Sequence, residues 1–147
     1  MNSKGQSALE YLMTYGWALV VMVIVIAALV ALDVFNLGAV TDTCAGFPTT
    51  IAYQRHVYSG SGTFQLAFLN GTGERIRVTM LNVDGTDKNA GDINADAGES
   101  VSMNKTGFTG GSVGNAYKVP VTITYNILGD INFSGVKAQG TCLGKYQ

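Results

Sequence analysis

The residues of this chain with most chemistry to offer are two cysteines, one histidine and one run of carboxylates and amides. Cys44 and Cys142 lie far apart in sequence, the second close to the last residue. In an oxidising compartment a bridge between them would staple both ends of the segment they enclose; otherwise they are two buried thiols. His56 is the only histidine, so the usual zinc sets cannot be assembled and no metal is expected. Asp92, Asn94 and Asp96 sit at alternate positions, as in a calcium loop. Ala97 stands where that loop needs Gly, and Met103 stands where it needs the bidentate Glu. Asp84 to Glu99 therefore reads as a solvated acidic loop. No serine, lysine or carboxylate cluster offers a nucleophile with its base. The Gly-rich stretches lack the Lys and the strand-to-helix setting of a phosphate loop. Neither an enzyme nor a cofactor binder is expected.

Three triplets fit the N-glycosylation pattern: Asn70-Gly-Thr, Asn104-Lys-Thr and Asn132-Phe-Ser. Each could carry a sugar on an exposed surface. Tyr53 and Tyr58 flank Arg55 and His56 and fit core packing better than an adhesive surface patch.

These residues need elements to position them. The chain has 147 residues, room for one ordinary domain. Only 13% of residues are charged and the net charge is −1, so no basic surplus points to nucleic acid. The hydropathy is concentrated between Leu12 and Leu32. Tyr11 to Leu32 holds no charge, and Trp17 to Leu32 is apolar without a break. About 20 such residues cross a bilayer's hydrocarbon as a helix. Lys4 before the run and Asp33 after it place the N-terminus in the cytoplasm and the bulk of the chain outside. The run exceeds the apolar core of a secretory signal peptide, and small-residue cleavage patterns near Ala28 and Ala31 are poor.

From about Leu37 the pattern turns to period two. Phe64, Leu66 and Phe68 mark one strand; Ile76, Val78 and Met80, with Leu81 as a further candidate, mark another. Asn70-Gly71-Thr72-Gly73 between them reads as a hairpin turn. Val101 and Met103 mark a short strand, and Val119, Val121, Ile123 and Tyr125 the clearest one. Pro120 in it suggests an edge position. Ile131 and Phe133, then Val136 onward, give the last strands. Ser59 to Gly62 and Gly107 to Gly114 read as exposed loops. About seven short strands separated by turns suggest a β-sandwich, Ig-like in type. The fold class is α+β: a long N-terminal apolar helix followed by a sandwich head.

The residues before the helix, Lys4 to Leu12, read K-G-Q-S-A-L-E-Y-L and continue MTYGW. This string resembles the class III signal peptide of archaeal type IV pilins. The resemblance covers roughly the first quarter of the chain and says little about the head. It implies a cut between Gly5 and Gln6, with residues 1–5 as leader, 6–37 as assembly and membrane helix, and 38–147 as head. It implies that Glu10 meets the new amine of Gln6, on its own or a neighbouring subunit. Tyr11, Leu12 and Trp17 belong to the same assembly segment. The implied partners are other copies of the chain, a prepilin peptidase, an assembly ATPase with its membrane platform, and the membrane before assembly. Archaellins share the leader class, but their mature start is Gly- and Ile-rich and lacks the Glu10-Tyr11 pair. An adhesive pilus on the cell surface is thus the implied product. Bacterial pilin helices carry a proline; none occurs between Met1 and Phe47, so a continuous helix is expected. Two other readings stay open: a single-span anchor holding a sandwich, and a minor pseudopilin of a secretion or uptake system.

Overall fold

The two hydrophobic patterns make two units, residues 1–39 and 40–147. The structure, a computed structural model, describes residues 3–31 and 41–147. The first unit contains α1, Ser3–Ala31, a single helix of 29 residues. At 1.5 Å per residue it is about 43 Å long. No proline interrupts it, and Leu, Ala and Met favour it locally. It already includes Ser3, Lys4 and Gly5, so the helix begins ahead of the residue at which the assembly segment was expected to start. The expected helix end at residue 37 and head start at residue 38 lie outside the described residues.

The second unit is built from strands: β1 Thr43–Ala45, β2 Ile51–Tyr58, β3 Phe64–Asn70, β4 Arg75–Val83, β5 Thr86–Ala95, β6 Ser100–Lys105, β7 Ala116–Leu128 and β8 Asn132–Lys145. They form a five-stranded sheet, β1-β8-β7-β4-β5, and a three-stranded sheet, β2-β3-β6. All pairings are antiparallel. The chain is therefore α+β, a long apolar helix followed by a β-sandwich head. Among the described residues there are eight strands rather than about seven. Their order also departs from the immunoglobulin one, in which strands one, two, five and four share a sheet.

Alternation builds the core between the sheets. Phe64, Leu66 and Phe68 of β3 face Ile76, Val78, Leu81 and Val83 of β4 and Val121 and Ile123 of β7 in one buried cluster. Each of these is at most 1% exposed. The phase of β4 breaks at a bulge between Val78 and Met80. An extra residue in a strand turns the following side chains over. Met80, expected inside, is 39% exposed, and Leu81 takes the core position.

Four other expectations are corrected. First, Asn70–Gly73 is not a hairpin turn, because β3 and β4 belong to different sheets; it carries the chain across the sandwich. Secondly, Asp84 to Glu99 is mostly strand β5, not a loop. Asp84 (φ 50°) and Gly85 (φ 79°) join β4 to β5, with Val83 paired to Thr86. Positive φ at both central residues is the tight turn that suits hairpin twist. Thirdly, β7 with Pro120 is a central strand. Proline is accommodated because β4 ends opposite Val121, and beyond it the Pro120 carbonyl accepts the turn N–H of Asp84 at 3.0 Å. Its missing N–H falls on that same side, past the ladder. Fourthly, the two Gly-rich loops are not simply solvent-exposed. Gly62 and Phe108 are buried where the loops meet backbone to backbone, and the Phe108 N–H donates to the Gly62 carbonyl at 3.0 Å. A Cβ on Gly62 would overlap the Phe108 carbonyl, and its φ of 83° also favours glycine.

Candidate functional site

Two regions hold the residues singled out by sequence, and they differ in kind. In α1, Gly5, Gln6, Glu10, Tyr11, Leu12 and Trp17 are all exposed. Gln6 and Glu10 are one helical turn apart and so share a face. In a helix the Cα–Cβ bond leans toward the N-terminus, so the Glu10 side chain leaves its backbone on the Gln6 side. Tyr11 and Tyr15, also a turn apart, bring their rings to 4.3 Å. Thr14 Oγ1 donates to the Glu10 carbonyl at 2.9 Å, which satisfies the hydroxyl within the helix. From Gly5 to Ala31 the helix is long and apolar enough to cross a membrane. Trp17 is 72% exposed and Leu12 69%. A helix with no polar face belongs in lipid or among other helices.

In the head, Cys44 and Cys142 occupy directly opposed positions on β1 and β8 and form a disulfide, with Cα atoms 4.0 Å apart. The bridge closes a stretch with a sequence separation of 98. A loop of that length is worth about 4.7 kcal/mol in the chain-entropy account. It ties the first strand of the head to the last.

His56 lies beside this bridge, buried at 3% exposure. Its Nδ1 is 3.4 Å from Cys44 Sγ and 2.8 Å from the Tyr53 hydroxyl; its Nε2 is 2.8 Å from the Tyr117 hydroxyl. Tyr53 donates to the Asp42 carbonyl at 3.3 Å, which leaves its oxygen to accept from Nδ1–H. Tyr117 then donates to Nε2. This assignment fits a neutral imidazole, which has one donor and one acceptor. Burial pushes the His56 pKa below its ordinary value, and the Asp42 carboxylate opposes that in part. Burial raises Tyr117 and pushes Tyr58 up to about 12, so both stay protonated as donors. Tyr58 is buried and packs edge-on against Phe64 and Tyr117. Of the four residues Tyr53, Arg55, His56 and Tyr58, only Arg55 is exposed, so core packing describes the other three. The grouping of Cys44, His56 and Cys142 could hold a metal by ligand type, but both sulfurs are spent in the disulfide.

Asp96 and Asn94 of the acidic run find partners on β4. Asp96 Oδ1 accepts from Arg75 Nε at 2.6 Å, and Asn94 Oδ1 from Arg77 Nε at 3.2 Å. These side chains line the outer face of β4 and β5 rather than converging on one point.

The three sequons separate sharply. Asn104 and Asn132 are exposed. Asn70 is fully buried. Its Nδ2 donates to the carbonyls of Glu74 (2.8 Å), Ala95 (3.1 Å) and Asp96 (3.0 Å). Its Oδ1 accepts from the Thr72 N–H and hydroxyl, at 3.1 and 2.7 Å. Asn70 is therefore a structural hub that ties the turns after β3 and after β5, not an exposed acceptor. Asp42 was not singled out by sequence. Its carboxylate accepts from the Lys145 N–H at 3.3 Å and from Gln147 Nε2 at 3.1 Å, which pins the last residues to the start of the head. A lone aspartate between threonines gives no periodic signal for such a role. No protein-family model matches the chain, and no curated protein matches it.

Proposed function

We propose that the chain is the major structural subunit of an archaeal type IV adhesive pilus. The observation that carries this reading is a conjunction. The string Lys4-Gly5-Gln6-Ser7-Ala8-Leu9-Glu10-Tyr11 opens a helix that is apolar all round, and that helix precedes a disulfide-closed sandwich. A peptidase cuts after Gly5, and residues 1–5 are lost. Gln6 then carries a free amine at the positive end of the helix, within reach of a carboxylate one turn on. An ionised Glu10 near hydrocarbon costs a few kcal/mol unless it is paired, so the amine of its own or a neighbouring copy is its natural partner. An assembly ATPase on a membrane platform moves subunits from lipid into a fibre. There the helices exchange lipid for one another, with Ala18, Ala27, Ala28 and Ala31 offering small contact positions. The heads form the outer surface and meet the adhesion target.

The length of α1 favours one alternative, a single-span anchor holding the sandwich at the cell surface. The N-terminal residue of the chain sheared from cell surfaces separates the two. A start at Gln6 in a filamentous fraction is expected. A chain that keeps Met1 and stays in the membrane overturns the pilin reading in favour of the anchor. A minor pseudopilin would be processed at Gly5 but scarce in sheared fibres.

A further inference from the structure

The three glycosylation triplets look alike in sequence and stand in different physical settings in the head. We infer that Asn104 and Asn132 carry N-linked oligosaccharides and that Asn70 carries none, so that the sugars project from the two opposite broad faces of the sandwich. The inference rests on the export reading above, because the head must leave the cytoplasm to meet the transferase.

The chemistry joins Asn Nδ2 to the anomeric carbon of an oligosaccharide. The donor is of the polyprenyl-phosphate-linked class. A C–N bond forms, the C–O bond to phosphate breaks, the phosphate leaves with the electron pair, and Nδ2 loses one proton to a base of the transferase. The nitrogen must therefore be reachable and must give up a hydrogen.

Asn70 meets neither condition. It is 0% exposed, and its two amide hydrogens serve three carbonyls that bind the turns after β3 and after β5. A sugar there would strip those carbonyls of their donor, and buried acceptors left unpaired are costly. The Thr72 hydroxyl is also engaged, donating to Asn70 Oδ1 at 2.7 Å.

Asn104 and Asn132 meet both conditions. Among the described residues neither side chain makes a hydrogen bond, and Thr106 and Ser134, which complete their triplets, are exposed too. Asn104 pairs with Gln65 on β3, between the buried Met103 and the half-buried Lys105, and so points from the outer face of the three-stranded sheet. Asn132 pairs with Leu128, which pairs with Arg75; Arg75 is exposed and its neighbour Ile76 is buried. That register puts Asn132 on the outer face of the five-stranded sheet. Sheets of a sandwich pack inner face to inner face, so these outer faces look in opposite directions.

Glycopeptide mass mapping of the chain recovered from its own cell surface tests this, alongside Thr72→Ala, Thr106→Ala and Ser134→Ala, each of which removes a sequon hydroxyl and keeps the asparagine. Glycan mass on the Asn104 and Asn132 peptides and none on the Asn70 peptide is expected. Thr106→Ala and Ser134→Ala should each lower the intact mass by one glycan, and Thr72→Ala should lower it by none. A glycan on Asn70, or bare Asn104 and Asn132 on a chain that external protease can reach, overturns the inference and leaves the export reading standing. A chain that external protease cannot reach in intact cells, with all three sites bare, overturns both.

Discussion

The helix and the head use the same apolar residue types in opposite ways. Leu19 and Ile24 of α1 are 65% and 61% exposed; Leu81 and Ile123 of the head are fully buried. The head completes its own core, with two sheets closing over it and a disulfide tying its first strand to its last. The helix completes nothing. Burying apolar surface is worth roughly 25 cal/mol per Å2, so a segment that leaves this much uncovered needs lipid or other helices. The difference separates a unit that closes a core of its own from a segment that leaves its apolar surface open.

The sharpest way to break that division is to charge the helix. Ile24→Asp puts a carboxylate in the middle of the apolar run, at a cost of about 3 kcal/mol or more in a bilayer. Filaments and membrane retention should both be lost. The head should keep its thermal transition, since Ile24 belongs to the first unit and the head's core is built from the head's own strands. Electron microscopy of sheared material and a melt of the soluble variant check the two halves. A head that melts early with the helix charged would show that the two units are not separable.

The reverse experiment weakens the head alone. Cys44→Ser with Cys142→Ser should cost about 4.7 kcal/mol on the chain-entropy account, and reduction of the native bridge should cost the same. Denaturant melts with and without reductant measure it. Membrane insertion of the precursor should be unchanged. Asn70→Ala should follow, at about 3 kcal/mol, because it leaves three carbonyls, one buried and two part-buried, short of their donor. Its effect should reach both turns that Asn70 joins. Hydrogen exchange should therefore rise at Gly98, whose N–H donates to the Asn70 carbonyl, as well as near Thr72.

Much of both regions was legible in sequence, and the failures have physical causes. The apolar run from Tyr11 to Leu32 announces a helix because it is long, uncharged and free of proline. Strands β3, β6 and β7 announce themselves by alternation that the core then uses. What alternation cannot show is a phase break or the sheet to which a strand belongs. The bulge near Thr79 therefore hid the burial of Leu81, and the Asn70–Gly73 segment passed for a hairpin. The Asp84-Gly85 pair is a strong hairpin signal, but the acidic run around it has the composition of a loop. The disulfide was anticipated from two cysteines and a compartment; the register that places them opposite each other is non-local. The triplet at Asn70 shows the same limit for sites. A motif names an asparagine, and only the fold says whether its amide is free.

The smallest expected effect concerns His56 and sharpens the comparison by confining it to the head. Its folded pKa lies below the unfolded value because burial disfavours the imidazolium. The unfolded chain therefore takes up this proton first as pH falls. Stability contributed by the neutral imidazole is present above about pH 6.5, the unfolded value, and declines below it until the folded pKa is reached. Within that window one proton changes stability by at most about 1.4 kcal/mol per pH unit. Protonation also removes the acceptor for the Tyr117 hydroxyl and sets a charge beside Tyr53 and the Asp42 carboxylate, the latter only partly compensating. Melts from pH 7 to pH 5, run in parallel on the native chain and on a His56 variant, isolate the histidine. His56→Gln should lower stability at pH 7 and flatten the dependence across that window, while the helix of the same chain, which holds no histidine, should insert equally well at both ends of it. A slope that survives the substitution would assign the acid sensitivity of the head to groups other than His56.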